Sequence, residues 1–362
     1  MTEKDKKNSK TEEDLLGIPK LGDRKSEIFS LIKIALDKGA SDIHISAGNH
    51  PVLRIDGKLI PVFERPKITP GYSEKLIGFL LTKEQKEKLE KDKELDFSYV
   101  YKDLAFLRVN VFFQKNSMAC VIRLIPSKIR TLEELNLPST LKGFTKASSG
   151  LVLLSGPTGS GKSSTIAALL EEINRTRTEH IITVEDPIEY VFKPKQSIIN
   201  QREVRSDTLS FKSALLSALR EDFNVLLVGE LRDVDSIEAA ITIAETGHLV
   251  FATVHASIAE DVPDRIIGVF PPFYQPQVRM LLSNVLLGIV AQKLVPKLDG
   301  GRVPAIEVML ATRAVKNLIR EGKTDQLSSV IETSSEEGMV TFKKSIENLI
   351  EEGKVSGDIL KK

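Results

Sequence analysis

The chain has 362 residues, with 51 basic and 50 acidic side chains and a net charge of +1. That length accommodates two domains, each with its own core, and the charge balance gives no global electrostatic reason to bind nucleic acid directly. A lone cysteine, Cys120, excludes an internal disulfide framework and any cysteine-cluster zinc site.

Residues 1–14 are almost wholly polar and mix both charge signs, so residues 1–25 are expected to be a disordered extension. The charged N-terminus lacks the apolar stretch of a signal peptide, and no apolar run reaches membrane-span length. Both features predict a cytoplasmic protein that meets a membrane only through partners. From Ser26, the apolar positions Ile28, Leu31, Ile32 and Ala35 recur at helical spacing up to Gly39. Strands are predicted at Asp42–Ser46, Val52–Ile55 and Leu59–Val62, the last two joined by a turn at Asp56-Gly57. A helical stretch over residues 72–92 precedes strands at Phe97–Tyr101, Phe106–Phe113 and Ala119–Ile125. Residues 26–126 therefore read as an α+β domain, and residues 127–138 as a linker carrying one short helix.

From residue 139 to 362 the pattern becomes α/β. Apolar strands at Leu151–Leu154, Ile181–Val184, Val225–Val228 and Leu249–Val254 alternate with helical segments, which implies a mostly parallel sheet with ligands at the carboxyl ends of its strands. The first strand runs into Gly156-Pro157-Thr158-Gly159-Ser160-Gly161-Lys162-Ser163, a complete phosphate-binding loop of the form G-x-x-x-x-G-K-[ST]. Its glycines expose successive N–H groups to phosphates, Lys162 reaches the β- and γ-phosphates, and the Ser163 hydroxyl is placed to ligate Mg²⁺. Ser164 opens the helix whose N-terminus would face the ligand. The loop predicts a nucleoside triphosphate with Mg²⁺.

The second strand ends in Glu185-Asp186-Pro187-Ile188-Glu189 and the third in Val228-Gly229-Glu230. Carboxylates at these strand ends suit the holding of Mg²⁺ or an attacking water. His248 and His255 bracket the fourth strand and are candidates for the same site. Phosphoryl transfer also needs positive charge on the γ-phosphate, and Arg108 and Arg123 each interrupt an apolar strand of the first domain. Read alone, their pattern equally fits a solvent-facing position on a half-exposed strand.

The strings GASDIHISAG, RVNVFFQ, GPTGSGKSS, EDPIEY, NQREV, LVGELRD, AETGHLVFATVHA, GGRVPAIEVM and AVKNLIREGK resemble the secretion-superfamily ATPases, and within them the type IV pilus retraction motors. The resemblance runs from about residue 26 to near the C-terminus. It implies a homohexameric ring with a PAS-like N-terminal domain and a RecA-like ATPase domain. It implies that residues 156–163 are the Walker A loop, that Glu189 in the Asp box is the catalytic glutamate, and that Glu230 is the Walker B acid acting with Ser163 on Mg²⁺. It further implies that His248 and His255 form the His box and that Arg108 and Arg123 reach the nucleotide. The implied partner is an inner-membrane pilus platform protein, met at the cytoplasmic face of that membrane.

The chain departs from the family pattern at Asp222-Phe223-Asn224, where Asp-Pro-Asp is usual, at Ala256-Ser257-Ile258, and in residues 1–25. Extension and secretion motors carry a four-cysteine zinc motif, which one cysteine rules out, and Ala314–Glu321 resembles a signature of retraction motors. Three readings stand beside a retraction motor: an accessory retraction ATPase, a secretion or extension motor, and a nucleotide-dependent switch with negligible turnover.

Overall fold

The computed structural model describes residues 21–55, 57–101, 105–126 and 129–361. The chain divides into two compact units, Met1–Ser127 and Lys128–Lys362.

In the first unit, helix α1 (Leu21–Asp37) buries Ile28, Leu31, Ile32 and Ala35, as their spacing requires. The helix starts at Leu21, inside the stretch expected to be disordered, and residues 1–20 lie outside the described residues. Strands β1 (Asp42–Ile45), β2 (Val52–Ile55) and β3 (Lys58–Pro61) follow, then helices α2 (Pro70–Gly78) and α3 (Lys83–Asp92), then β4 (Glu94–Tyr101), β5 (Ala105–Gln114) and β6 (Ser117–Pro126). Of the turn expected at Asp56-Gly57, Asp56 lies outside the described residues.

The single helical stretch expected over residues 72–92 is two helices. Leu80 and Leu81 are buried between them, and Thr82 starts the second with a reciprocal capping box to Gln85. The six strands form an antiparallel sheet in the order β3-β2-β1-β6-β5-β4. On β5, Leu107, Val109 and Val111 point into the core, which leaves Arg108 and Asn110 on the opposite face.

In the second unit, the segment read as a linker contributes to the core. Leu132, Leu135 and Leu137 are buried there, and the expected short helix is a hydrogen-bonded turn at residues 132–136. After helix α4 (Lys142–Lys146) come β7 (Gly150–Ser155), α5 (Lys162–Thr176), β8 (His180–Glu185), β9 (Ile198–Glu203), α6 (Phe211–Ala218), β10 (Val225–Val228), α7 (Val234–Glu245) and β11 (Leu249–Val254). Helices α8 (Asp261–Ile267) and α9 (Gln275–Val285) lead to a hairpin, β12 (Leu286–Pro296) and β13 (Arg302–Leu310), and the chain closes with α10 (Arg313–Glu321), α11 (Leu327–Thr333) and α12 (Phe342–Glu351).

The seven strands lie in the order β13-β12-β7-β11-β10-β8-β9, and every neighbouring pair is parallel except β12–β13. Alternate residues feed two cores, one on each face. Leu151, Leu153, Leu226 and Val250 pack with α6, α7 and α9, whereas Val152, Leu154, Val225 and Phe251 pack with α5. The chain thus has an α/β architecture, an α+β unit followed by a unit with a mostly parallel, helix-covered sheet. Among the described residues no helix is long and apolar enough to cross a membrane.

Candidate functional site

Strand β7 is buried along its whole length and delivers the chain to the loop at residues 156–161. Gly156 (φ 144°) and Gly161 (φ 92°) adopt backbone that side chains rarely take. At Gly156 space forbids a side chain as well, and at Gly161 the Gln292 amide would have to move. A Cβ on Gly156 would fall 2.3 Å from the Gln292 carbonyl oxygen, and one on Gly161 2.6 Å from Gln292 Nε2. Pro157, Thr158 and Gly159 form the exposed tip, while Ser160 is buried and its Oγ has no partner among the described residues.

Helix α5 begins at Lys162 with Gly161 as its cap, and no side chain caps its first N–H groups. Its N-terminal N–H groups are therefore left for an anion, with the positive end of the helix dipole behind them. Lys162 Nζ lies across the loop, donating to the carbonyls of Gly156 (2.7 Å) and Pro157 (3.1 Å). Burial lowers the pKa of Lys162, and the charges of Glu230 and Glu189 oppose that shift, so both acids act on this ammonium. Ser163 and Ser164 are half-buried in the first turn, and Ser164 Oγ lies 2.7 Å from the Tyr190 hydroxyl. The uncapped helix start, the lysine across the loop and the nearby acids fit a triphosphate with a divalent cation.

Glu230 follows β10 and lies at the carboxyl edge of the sheet. Its carboxylate accepts from Arg232 Nη2 at 2.6 Å and lies 3.1 Å from His255 Nε2. Burial pushes the Glu230 pKa up, but the Arg232 hydrogen bond and the charges of His255 and Arg232 outweigh it, leaving the group below its ordinary value. The other ring nitrogen of His255, Nδ1, lies 3.3 Å from the carbonyl oxygen of Gly156. His255 therefore joins the acid to the root of the loop.

The three carboxylates at the end of β8 and just beyond it divide. Glu189 and Asp186 are exposed, whereas Glu185 is buried and accepts from the Thr183 hydroxyl (2.7 Å) and the Glu189 N–H (3.4 Å). Burial pushes the Glu185 carboxyl up to about 7. A Cβ on Gly229 would fall 3.2 Å from Glu185 Cα, so the ends of β8 and β10 touch there.

His248 lies apart from His255. It precedes β11, so within this chain it lies at the amino edge of the sheet, while His255 lies at the carboxyl edge. The six residues between them span roughly 20 Å, and the structure does not bring both histidines to one site. His248 instead stacks on Phe223 (ring centroids 4.4 Å apart, planes at 26°), and its Nδ1 faces the Ile243 carbonyl at 3.2 Å. Phe223, which departs from the family pattern, is buried there, and Asn224 Oδ1 accepts from the His180 N–H at 2.9 Å.

In the first unit, Arg108 and Arg123 are direct cross-strand partners on β5 and β6, and Asp42 of β1 is the next in that row. They share the face opposite the core. Arg123 Nε donates to Asp42 Oδ1 at 3.0 Å, and Arg54 Nε lies 3.8 Å from Asp42 Oδ2. The site also contains residues that motif reading passed over. Arg232 and Tyr190 stand beside motif positions, and Gln292 is a polar residue inside the apolar run of β12, the one sequence signal that could have marked it.

The model of the type II/IV secretion system protein family matches residues 24–301. The type IV pilus retraction ATPase PilT of Pseudomonas aeruginosa is 43% identical over 330 residues, covering 91% of this chain and 96% of that protein. The twitching motility protein of Neisseria gonorrhoeae is 42% identical over 330 residues, covering 91% and 88%. A crystal structure of the pilus retraction motor PilT with bound ADP superposes with a TM-score of 0.80, at 44% identity, over 88% of this chain and 96% of that one. With a family model spanning most of its length and relatives this similar over nine-tenths of it, the chain belongs to the type II/IV secretion system protein family.

Proposed function

We propose that this chain is an ATP-hydrolysing motor that assembles as a homohexameric ring and powers type IV pilus retraction through an inner-membrane platform protein, working at the cytoplasmic face of that membrane. The observation that carries the reading is the joined loop and acid: Lys162 across a complete phosphate-binding loop, and His255 linking Gly156 to Glu230. The similarity to a pilus retraction ATPase over 91% of the chain supplies the biological direction.

The residues divide the chemistry as follows. The N–H groups of residues 158–164 and the Lys162 ammonium bind the β- and γ-phosphates and hold them still. Ser163 and Glu230 would hold Mg²⁺, which supplies neutralisation of phosphate charge when bound. Glu189, exposed at the end of the Glu185–Glu189 segment, positions the attacking water and takes its proton. His255 and Arg232 keep the Glu230 carboxylate oriented and ionised. Arg108 and Arg123 offer paired positive charge to the negative charge that develops on the transferred phosphoryl group. His248 would act in the His box only by a route that leaves the amino edge of its own sheet.

Live imaging of labelled pili in cells lacking this protein tests the reading. Restoring the wild-type chain should restore retraction, and restoring Glu189→Gln should not. Replacing Lys316 or Arg320 on α10, whose side chains reach Asn284, should impair retraction while ATP turnover persists. Pili that fail to assemble, rather than to retract, without the protein would make it an extension motor.

A further inference from the structure

We infer that Gln292, on the strand beside β7, is a positioning residue that holds the phosphate-binding loop in its nucleotide-binding shape. The inference rests on reading residues 156–163 as the nucleotide site.

Gln292 is 2% exposed, after the fully buried Val290 and Ala291 and before exposed Lys293 and half-buried Leu294. An amide this deep is costly unless both of its ends are hydrogen-bonded. Both are, and both bonds go to the loop and the helix it opens. Nε2 donates to the Ser160 carbonyl at 2.8 Å, and Oε1 accepts from the Thr165 hydroxyl at 2.7 Å. One planar group thereby spans Gly161, Lys162, Ser163 and Ser164, the residues between those partners.

The first bond fixes the direction of a phosphate donor. In a trans peptide unit the C=O and N–H point opposite ways. Drawing the Ser160 carbonyl toward β12 therefore turns the Gly161 N–H away from β12. The second bond pins Thr165, whose own N–H makes the first helical bond of α5, to the Gly161 carbonyl at 3.1 Å. The same residue also explains both outer glycines of the motif. Its carbonyl oxygen and its Nε2 occupy the places where side chains at 156 and 161 would have to go. The Ser160 and Gly161 backbone is thus held from behind before any ligand arrives, which removes an ordering cost from binding.

Equilibrium binding of fluorescent ADP to the purified full chain, alongside melting of the nucleotide-free protein, tests this. Gln292→Leu keeps the volume and removes both bonds, and ADP affinity should fall about 10–100-fold. Thr165→Val removes the second bond alone and should cost about 3–10-fold, whereas Thr165→Ser, which keeps the hydroxyl, should bind within about 2-fold of wild type. The double variant should bind no more weakly than Gln292→Leu, because the two substitutions share one hydrogen bond.

Wild-type affinity in Gln292→Leu would overturn the inference, as would a lowered melting temperature with affinity unchanged. If Gln292→Leu does not fold, Thr165→Val carries the test, and unaltered affinity there overturns it. The nucleotide-site reading fails separately, if wild type binds no ADP or if Lys162→Ala binds it as wild type does.

Discussion

The imidazole of His255 lies 3.1 Å from the Glu230 carboxylate, and its second nitrogen lies 3.3 Å from the Gly156 carbonyl. One side chain thus links the acid after β10 to the root of the loop after β7, across the intervening strand β11. In the proposed mechanism a group in this position orients its neighbour. His255→Ala should lower ATP turnover about 10–100-fold, the range typical of lost orienting partners, while ADP affinity stays within about 3-fold. Turnover at the wild-type rate would remove His255 from the active site.

Glu185 makes a pH-dependent prediction. Burial raises its carboxyl from an ordinary 4.5 to about 7. Between those values the folded chain retains a proton that the unfolded chain has released. Its contribution to stability is therefore full below about pH 4.5 and is lost as the pH rises through about 7. Glu185→Gln, which never ionises, should gain stability relative to wild type between pH 5 and pH 8, on the order of 1–3 kcal/mol. Denaturant unfolding of the nucleotide-free protein at the two pH values measures this. No difference in the gain between the two pH values would mean that Glu185 is already ionised in the folded chain.

Arg108 and Arg123 face each other across β5 and β6 on the face away from their core. In a head-to-tail ring, each nucleotide site has a neighbouring subunit beside it. Arg108→Ala and Lys162→Ala should each be nearly inactive alone. Mixed in equal amounts with subunit exchange verified, about a quarter of interfaces (½ × ½) would pair an intact arginine with an intact loop. Activity returning toward that fraction supports arginines supplied between subunits. No recovery means that they act within their own chain, because every site then carries one lesion.

What the sequence makes readable follows from locality. The strand–loop–helix at 151–170 and the acids closing β8 and β10 are local patterns, and each stands where its strand ends. Alternation on β5 likewise puts Arg108 opposite Leu107 and Val109, whatever its later role. The unreadable parts depend on distant segments meeting. Gln292 is far from the loop in sequence and reaches it only because β12 pairs with β7. His248 and His255 flank one strand in sequence, yet parallel strands send their two ends to opposite sheet edges. The break at Leu80-Leu81 is hidden for a different reason, since continuous helical spacing does not reveal a buried corner followed by a cap.

Steady-state phosphate release with Mg²⁺ and ATP tests the central claim most directly, measured on wild type, Lys162→Ala and Glu189→Gln beside nucleotide binding. In the proposed mechanism Lys162 acts on phosphate charge already present in the bound nucleotide, whereas Glu189 acts on the attacking water. The account predicts sustained release by wild type and loss of both binding and release in Lys162→Ala. In Glu189→Gln it predicts retained binding with release lowered about 10²–10⁴-fold. Release at the wild-type rate by Glu189→Gln, or none by wild type, would contradict it.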